Sequence, residues 1–265
     1  MAQPSPDPFW TGPIGVDVSK YQGDVKWSMV HGAGYEFAYI KASEGKGYTD
    51  PKFKTNWLSA REAGMLVGAY HFARVSKSPT IEDDARAEAE WFAGLLGAQP
   101  GSHVMLPPVL DIEWDKNADK VIKGAEAIQW CLTFTQTVAL LLGRTPTIYT
   151  GANFWKWRLL RTSKLAHLPL WQVHYTSAKK PTEIPNWPWT FWQWSYTQPL
   201  PGSGSTKVDA NRFVGTPTEL RKLADPSLEA REPIDVVHEI PWWDKLLEIT
   251  NGITRAISEP SRRGG

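Results

Sequence analysis

A chain of 265 residues, 42% hydrophobic and 22% charged, can build a globular core and holds one large domain or two small ones. A net charge of +1 gives no basis for a nucleic-acid partner, and the lone Cys131 excludes an intramolecular disulfide or a thiolate metal cluster. The fifteen tryptophans stand out. Flat indoles stack on sugar rings and at interfaces, so roughly two thirds are expected in packing and the rest along a groove.

In chain order, "MAQPSPDPFWTGP" has no basic segment leading into an apolar stretch, so residues 1–13 read as an N-terminal extension without a secretory signal. "IGVDVSKYQG" is a strand, "DVKWSMVHGAG" a helix and "FAYIKASEG" a second strand. The helix "DPKFKTNWLSAREAG" leads to the strand "LVGAYHFA". "TIEDDARAEAEWFAGLLG", opened by acids and closed by Gly97, is a third helix. "PPVLDIEW" is the fourth strand and "AEAIQWCLTFTQTVALLLG" the fourth helix, with Cys131 a small buried hydrophobe inside it. "TPTIYTG", "LPLWQVHYT", "TFWQWSYT" and "KVDANRFVG" are four more extended runs, the last three too closely spaced for full helices between them.

Alternation of strand and helix implies parallel pairing, and eight strands imply a closed, irregular barrel of the TIM-like α/β class over residues 14–224. Residues 225–240 then read as a linker. Beyond it Trp243, Leu246, Leu247, Ile253 and Ile257 fall at helical spacing near one face, followed by a disordered end, so 241–265 are expected as an amphipathic helix and tail. Such a stripe would dock on the barrel or on a protein partner. No window is long and apolar enough to span a membrane.

Within "PPVLDIEWD", Asp111 and Glu113 lie two positions apart, which on a strand turns both to one face. Functional groups of parallel barrels gather at the carboxyl ends of the strands. Asp17 lies late in the first strand and Asp209 in the last, and these strands are neighbours once a barrel closes. Four acids therefore converge on one cup. Glycoside hydrolysis needs such a set: one carboxyl protonated for the leaving oxygen, others ionised to support positive charge at the sugar carbon. Crowding raises the pKa of the most desolvated member. A lone D-x-E also occurs at exposed strand tips and in metal sites. No histidine lies at ligand spacing beside these acids, and His71 reads as a satisfied core or rim residue. Neither a metal nor another cofactor is expected.

The chain resembles the glycoside hydrolase family 25 lysozymes over roughly residues 14–215. The resemblance rests on "GVDVSKYQG", "FAYIKASEG", "AGMLVGAYHFA", "LDIEW", "PTIYTG", "LWQVHY", "FWQWS" and "VDANRF" in the family's order. It implies an irregular eight-stranded barrel with about five helices. It also implies N-acetylmuramidase activity on peptidoglycan glycan strands, in an endolysin released from the cytoplasm or a virion-associated lysin of bacteriophage type. It implies Glu113 as general acid and Asp111 as its partner toward the N-acetyl group or water, with Asp17 and Asp209 completing the floor. Tyr70 and Tyr149 correspond to groove tyrosines. Trp114 and Trp194 are either stacking surfaces or buried packing, and Glu44 either a groove contact or a fold residue. The chain departs from the family in "LWQVHY", where Val173 replaces a common alanine, and in a tail too short for wall-binding repeats.

Two other readings compete. A chitinase of the other D-x-E barrel class would carry further acids upstream, where Pro107 and Val109 stand. A non-catalytic carbohydrate-binding or virion structural protein could keep the barrel, but it need not keep all four acids.

Overall fold

The computed structural model describes residues 10–114, 122–203 and 207–231. In order, its elements are β1 (Ile14–Val18), α1 (Trp27–Gly32), β2 (Phe37–Glu44), β3 (Tyr48–Thr49), α2 (Phe53–Glu62), β4 (Leu66–Phe72), α3 (Ile81–Gly97) and β5 (Val109–Asp111). There follow α4 (Ala125–Leu142), β6 (Thr147–Gly151), α5 (Ala152–Trp157), β7 (Leu170–Val173), β8 (Trp189–Gln198), β9 (Val208–Phe213) and α6 (Pro217–Ala224). Contacts divide the chain into two units, Met1–Glu229 and Ala230–Gly265. The apolar stripe expected from Trp243 to Ile257 lies outside the described residues.

Eight strands close the expected barrel in the order β1-β9-β8-β7-β6-β5-β4-β2, with a β1–β2 pairing completing the ring and β3 attached to β2 as an antiparallel flap. The first seven barrel strands run parallel, as the alternation implied. The last does not: β9 is antiparallel to both β8 and β1. The connection over residues 199–207 explains this departure. It is shorter than the dozen or so residues a parallel crossover requires, so the chain turns back on itself. Residues 174–188, between β7 and β8, are long enough to cross over without a regular helix.

The parallel strands read as near-continuous apolar runs because both their faces are covered. One face meets the helices, where Ile40, Ala69, Leu110 and Ile148 pack with Trp130 and Phe134. The other fills the lumen with Phe37, Tyr39, Val109, Tyr149, Trp171, Phe191 and Phe213. Leu220 and Ala224 of α6 join this cluster at the strand-start end. There Arg144 holds the end of α6 through the carbonyls of Leu223 (2.7 Å) and Ala224 (3.2 Å). Six helices are present among the described residues, against about five expected, and two of them, α1 and α5, are only six residues long.

Two sequence readings of the shell hold. His71 is a satisfied core histidine, with Nδ1 2.8 Å from Ser43 Oγ and Nε2 2.8 Å from Glu88 Oε2. Cys131 is buried in α4, and burial pushes its thiol up to about 12.

The tryptophans divide differently from the sequence expectation. On the wall of β8 and β9, Trp10, Trp192 and Trp194 surround the guanidinium of buried Arg212 at 4.7, 5.1 and 5.3 Å. Trp192 and Trp194 are buried in this wall and do not line the cavity.

Lumen packing demands glycine at two strand positions. A Cβ on Gly68 would stand 2.3 Å from the Tyr39 ring, and one on Gly15 2.4 Å from Phe37. Gly68→Ala should destabilise the fold by about 1–3 kcal/mol, the usual cost of overpacking. Thermal melting checks this, with a fall of about 2–4 °C expected for each kcal/mol.

Candidate active site

Each acid reaches the barrel mouth on a different piece of backbone. Asp17 is the fourth residue of β1, Asp111 the last of β5, Glu113 lies in the loop just beyond, and Asp209 is the second residue of β9. The reversed direction of β9 matters here: its beginning lies where the parallel strands end. Asp17 and Asp209 are direct cross-strand partners. Together the four acids line one cavity of about 280 Å³, close to the ~300 Å³ lower bound for ligand pockets. Tyr21, Tyr70, Tyr149, Tyr175, Lys41 and Gln193 also line it, over a floor formed by Trp171. The Trp171 ring stacks on Tyr39 at 4.7 Å and takes the edge of Tyr149 at 4.9 Å.

Burial sets the electrostatics. Asp17 is pushed well above the ordinary carboxyl range by desolvation and then by the charge of Asp209, against N–H groups donated by Asn211 and Gln193. Asp111 is pushed up by desolvation and then by Glu113, with the ammonium of Lys41 opposing. Its Oδ1 is buried and has no hydrogen-bond partner among the described residues. Desolvation raises Asp209 to about 6. Glu113 is half-buried at the rim. Desolvation thus falls most heavily on Asp17 and Asp111, so Glu113 owes its candidacy as acid to reach and not to depth.

The remaining sequence candidates separate. Tyr70 and Tyr149 line the cavity. Trp114 is 44% exposed and lies outside the lining, its ring edge-on to Phe154 at 5.6 Å with the Arg158 guanidinium 5.0 Å above it. Trp194 takes the packing alternative: Phe191 and Gln193 face the lumen, so Trp192 and Trp194 turn outward to pack with Ala210. Glu44 does not line the cavity. It binds Lys41 and Arg74, each at 2.6 Å, and so acts on the cavity through Lys41. Among the described tryptophans, only Trp171 lines the cavity; its other aromatic walls are tyrosines and Phe72.

Lys41, Tyr175, Gln193 and Asn211 were not singled out from sequence, although each lies inside a quoted motif. Strand parity could have found two of them. Gln193 shares a face with Phe191, and Asn211 lies between Asp209 and Phe213 on theirs.

Carboxyl groups crowded on an aromatic floor, with donors and acceptors around the rim, define a glycoside hydrolase of the barrel class. The family model for glycosyl hydrolases family 25 matches residues 16–203, and the chain belongs to that family. Lysozyme M1 of Streptomyces globisporus is 37% identical over 224 residues, covering 81% of this chain and 72% of the relative. The crystal structure of a Streptomyces coelicolor lysozyme superimposes with a TM-score of 0.73 at 35% identity, covering 82% of this chain and 99% of that one. The CTP1L endolysin structure gives a TM-score of 0.67 at 26% identity, covering 84% of this chain and 71% of its own.

The raised acids have a consequence for stability. Where a carboxyl titrates higher in the folded than in the unfolded chain, the folded state binds more protons between the two values. Stability then falls as pH rises through that window, here from about 4, the unfolded value, to about 6 for Asp209. Asp209→Asn should therefore raise the melting temperature at pH 7 by at least ~2 °C, the shift that ~1 kcal/mol produces in a chain of this size. The gain should vanish below pH ~4, where Asp209 is protonated in both states. An equal gain at both pH values would contradict this.

Proposed function

We propose that the chain is a 1,4-β-N-acetylmuramidase that hydrolyses the bond between N-acetylmuramic acid and N-acetylglucosamine in peptidoglycan. The observation that carries this reading is the convergence of Asp17, Asp111, Glu113 and Asp209 on one open cavity in a family 25 barrel. The likeness to lysozymes supports the substrate. The gathering of all four acids gives no support to a non-catalytic protein on the same barrel.

Glu113, at the rim, hands a proton to the leaving sugar oxygen. Asp111, below it, faces the reacting carbon side and assists the N-acetyl group or a water. This division needs a proton on Glu113 and a charge on Asp111, whereas burial favours the neutral form of Asp111. Substrate reverses the balance: an amide N–H or a developing positive charge beside Asp111 stabilises its carboxylate. Lys41 contributes in the same direction. Asp209, and Asp17 whenever it is ionised, supply negative potential from the opposite wall.

The setting is proposed as that of a phage-type endolysin or a lysin carried on a particle, a reading that the likeness to the CTP1L endolysin supports. The stripe from Trp243 to Ile257 is proposed as a protein-docking segment on grounds of its helical apolar spacing.

Glu113→Gln keeps shape but has no transferable proton, and should lower turnover on peptidoglycan at least ~100-fold while sparing substrate binding. Asp111→Asn should be comparably severe. If Asp111 works through the N-acetyl group, proton NMR of the first-formed anomer will show retained configuration. Clearance of a wall suspension by Glu113→Gln at near the wild-type rate would overturn the assignment.

Carboxylates alone can perform this hydrolysis, and among the described residues no group of three or more His, Cys, Asp or Glu is arranged to hold a metal. Dialysis against EDTA should leave turnover unchanged. A loss restored by a divalent ion would refute metal independence.

A further inference from the structure

Gln193 lies at the centre of the cavity wall and is 3% exposed. Its Nε2 donates to Asp17 Oδ2 at 3.0 Å. Its Oε1 accepts the hydroxyl protons of Tyr149 at 2.9 Å and Tyr175 at 2.8 Å. Asp17 Oδ2 accepts a second N–H from Asn211 Nδ2 at 2.8 Å. Amide side chains can be turned end for end, so the direction of such a network must come from a group that cannot reverse.

Trp171 is that group. An indole N–H only donates, and here it donates to Asn211 Oδ1 at 2.8 Å. Asn211 must then turn its NH₂ toward Asp17. Asp17 Oδ2 already accepts the Asn211 N–H, and an amide oxygen beside it would set two acceptors together, so Gln193 also presents its NH₂ there and its oxygen to the two phenols. Burial holds both phenols well above their ordinary range, so both keep their protons. Both hydroxyls reach the Gln193 oxygen and Tyr149 also bonds with Tyr175, so protons given to Gln193 leave phenol lone pairs to face the cavity.

We propose that Gln193 is a positioning residue that makes Tyr149 and Tyr175 hydrogen-bond acceptors toward the substrate. This wall then recognises a donor, an amide N–H or a sugar hydroxyl. The inference rests on the saccharide reading above and deepens it. The other titratable groups of the same cavity are Tyr21 from the turn after β1, Lys41 from β2, Tyr70 from β4, Asp111 and Glu113 from β5 and its loop, and Asp209 from β9. Comparing variants with wild type over one pH range separates their common titration from that of the Gln193 position.

Two substitutions divide the roles. Gln193→Met removes the acceptor for the phenols and the donor to Asp17. Gln193→Glu keeps the acceptor but turns an oxygen toward Asp17, so the network survives only while the two carboxyls share a proton. On soluble peptidoglycan glycan fragments, Gln193→Met should lower kcat/KM by ~10-fold or more at every pH from about 4 to 8. Gln193→Glu should be near wild type at the acid end and fall to the level of Gln193→Met as pH rises. A purely structural glutamine would give no such pH-dependent rescue. The inference is overturned if Gln193→Met stays within ~2-fold of wild type, or if Gln193→Glu follows Gln193→Met at every pH.

Wild type that releases no reducing ends from the fragments would sink the muramidase reading, and carboxyl-carbon NMR of Asp17 then decides this one. Losing the Gln193 N–H should raise the Asp17 titration midpoint, and an unchanged midpoint overturns the inference. If Gln193→Met does not fold, Gln193→Glu carries both measurements.

Discussion

The site depends on the way the barrel closes. β9 enters between β1 and β8 and runs against both. A parallel β9 would put Asp209 at the far end of the barrel, some 15 Å away along a strand of ordinary rise. Antiparallel entry places it beside Asp17, and in the same step brings Asn211 into reach of Asp17 and Trp171. One short connection therefore decides both how the sheet seals and which polar groups meet inside it.

Closure of this kind creates a conflict that the surrounding residues relieve only in part. Carboxyls above an aromatic floor lose water, and each raises the others' reluctance to ionise. Lys41 reaches into the cavity as a cation, steadied by Glu44, which Arg74 holds in turn. Gln193 and Asn211 bring N–H groups to Asp17. What remains is a cup in which burial favours protonated carboxyls, and acid catalysis on a sugar requires a carboxyl that keeps its proton. Such a site is held against its own preference by the packing beneath it.

The tryptophan content has an architectural cause. A parallel strand needs cover on both faces, and helices supply it around most of this barrel. Among the described residues no regular helix connects β7 to β8 or β8 to β9, and indoles pack around Arg212 on this side. Large flat rings bury much area per residue, and their faces accept a guanidinium. Tyrosines line the cavity, where a hydroxyl is needed as well as a ring.

Much of this was legible in the linear chain. Apolar runs separated by helical periods specify strands covered on both faces, because burial is written into residue type. The D-x-E at a strand end suggests two acids on one side; both do line the cavity, although β5 ends at Asp111 and Glu113 is placed by the loop. The ordered motifs identify the family without any coordinates. Depth was not legible: parity tells which side Asp111 and Glu113 take, whereas desolvation depends on every element packed around them. Nor was the direction of β9, which follows from the space left between β1 and β8 as well as from the length of the connection. The hub at Gln193 joins residues separated by 18 to 176 positions. Sequence by itself determined the barrel, its family and its four acids; only the tertiary structure decided which acids lie deep and how the polar wall is oriented, because both are properties of surroundings assembled from distant parts of the chain.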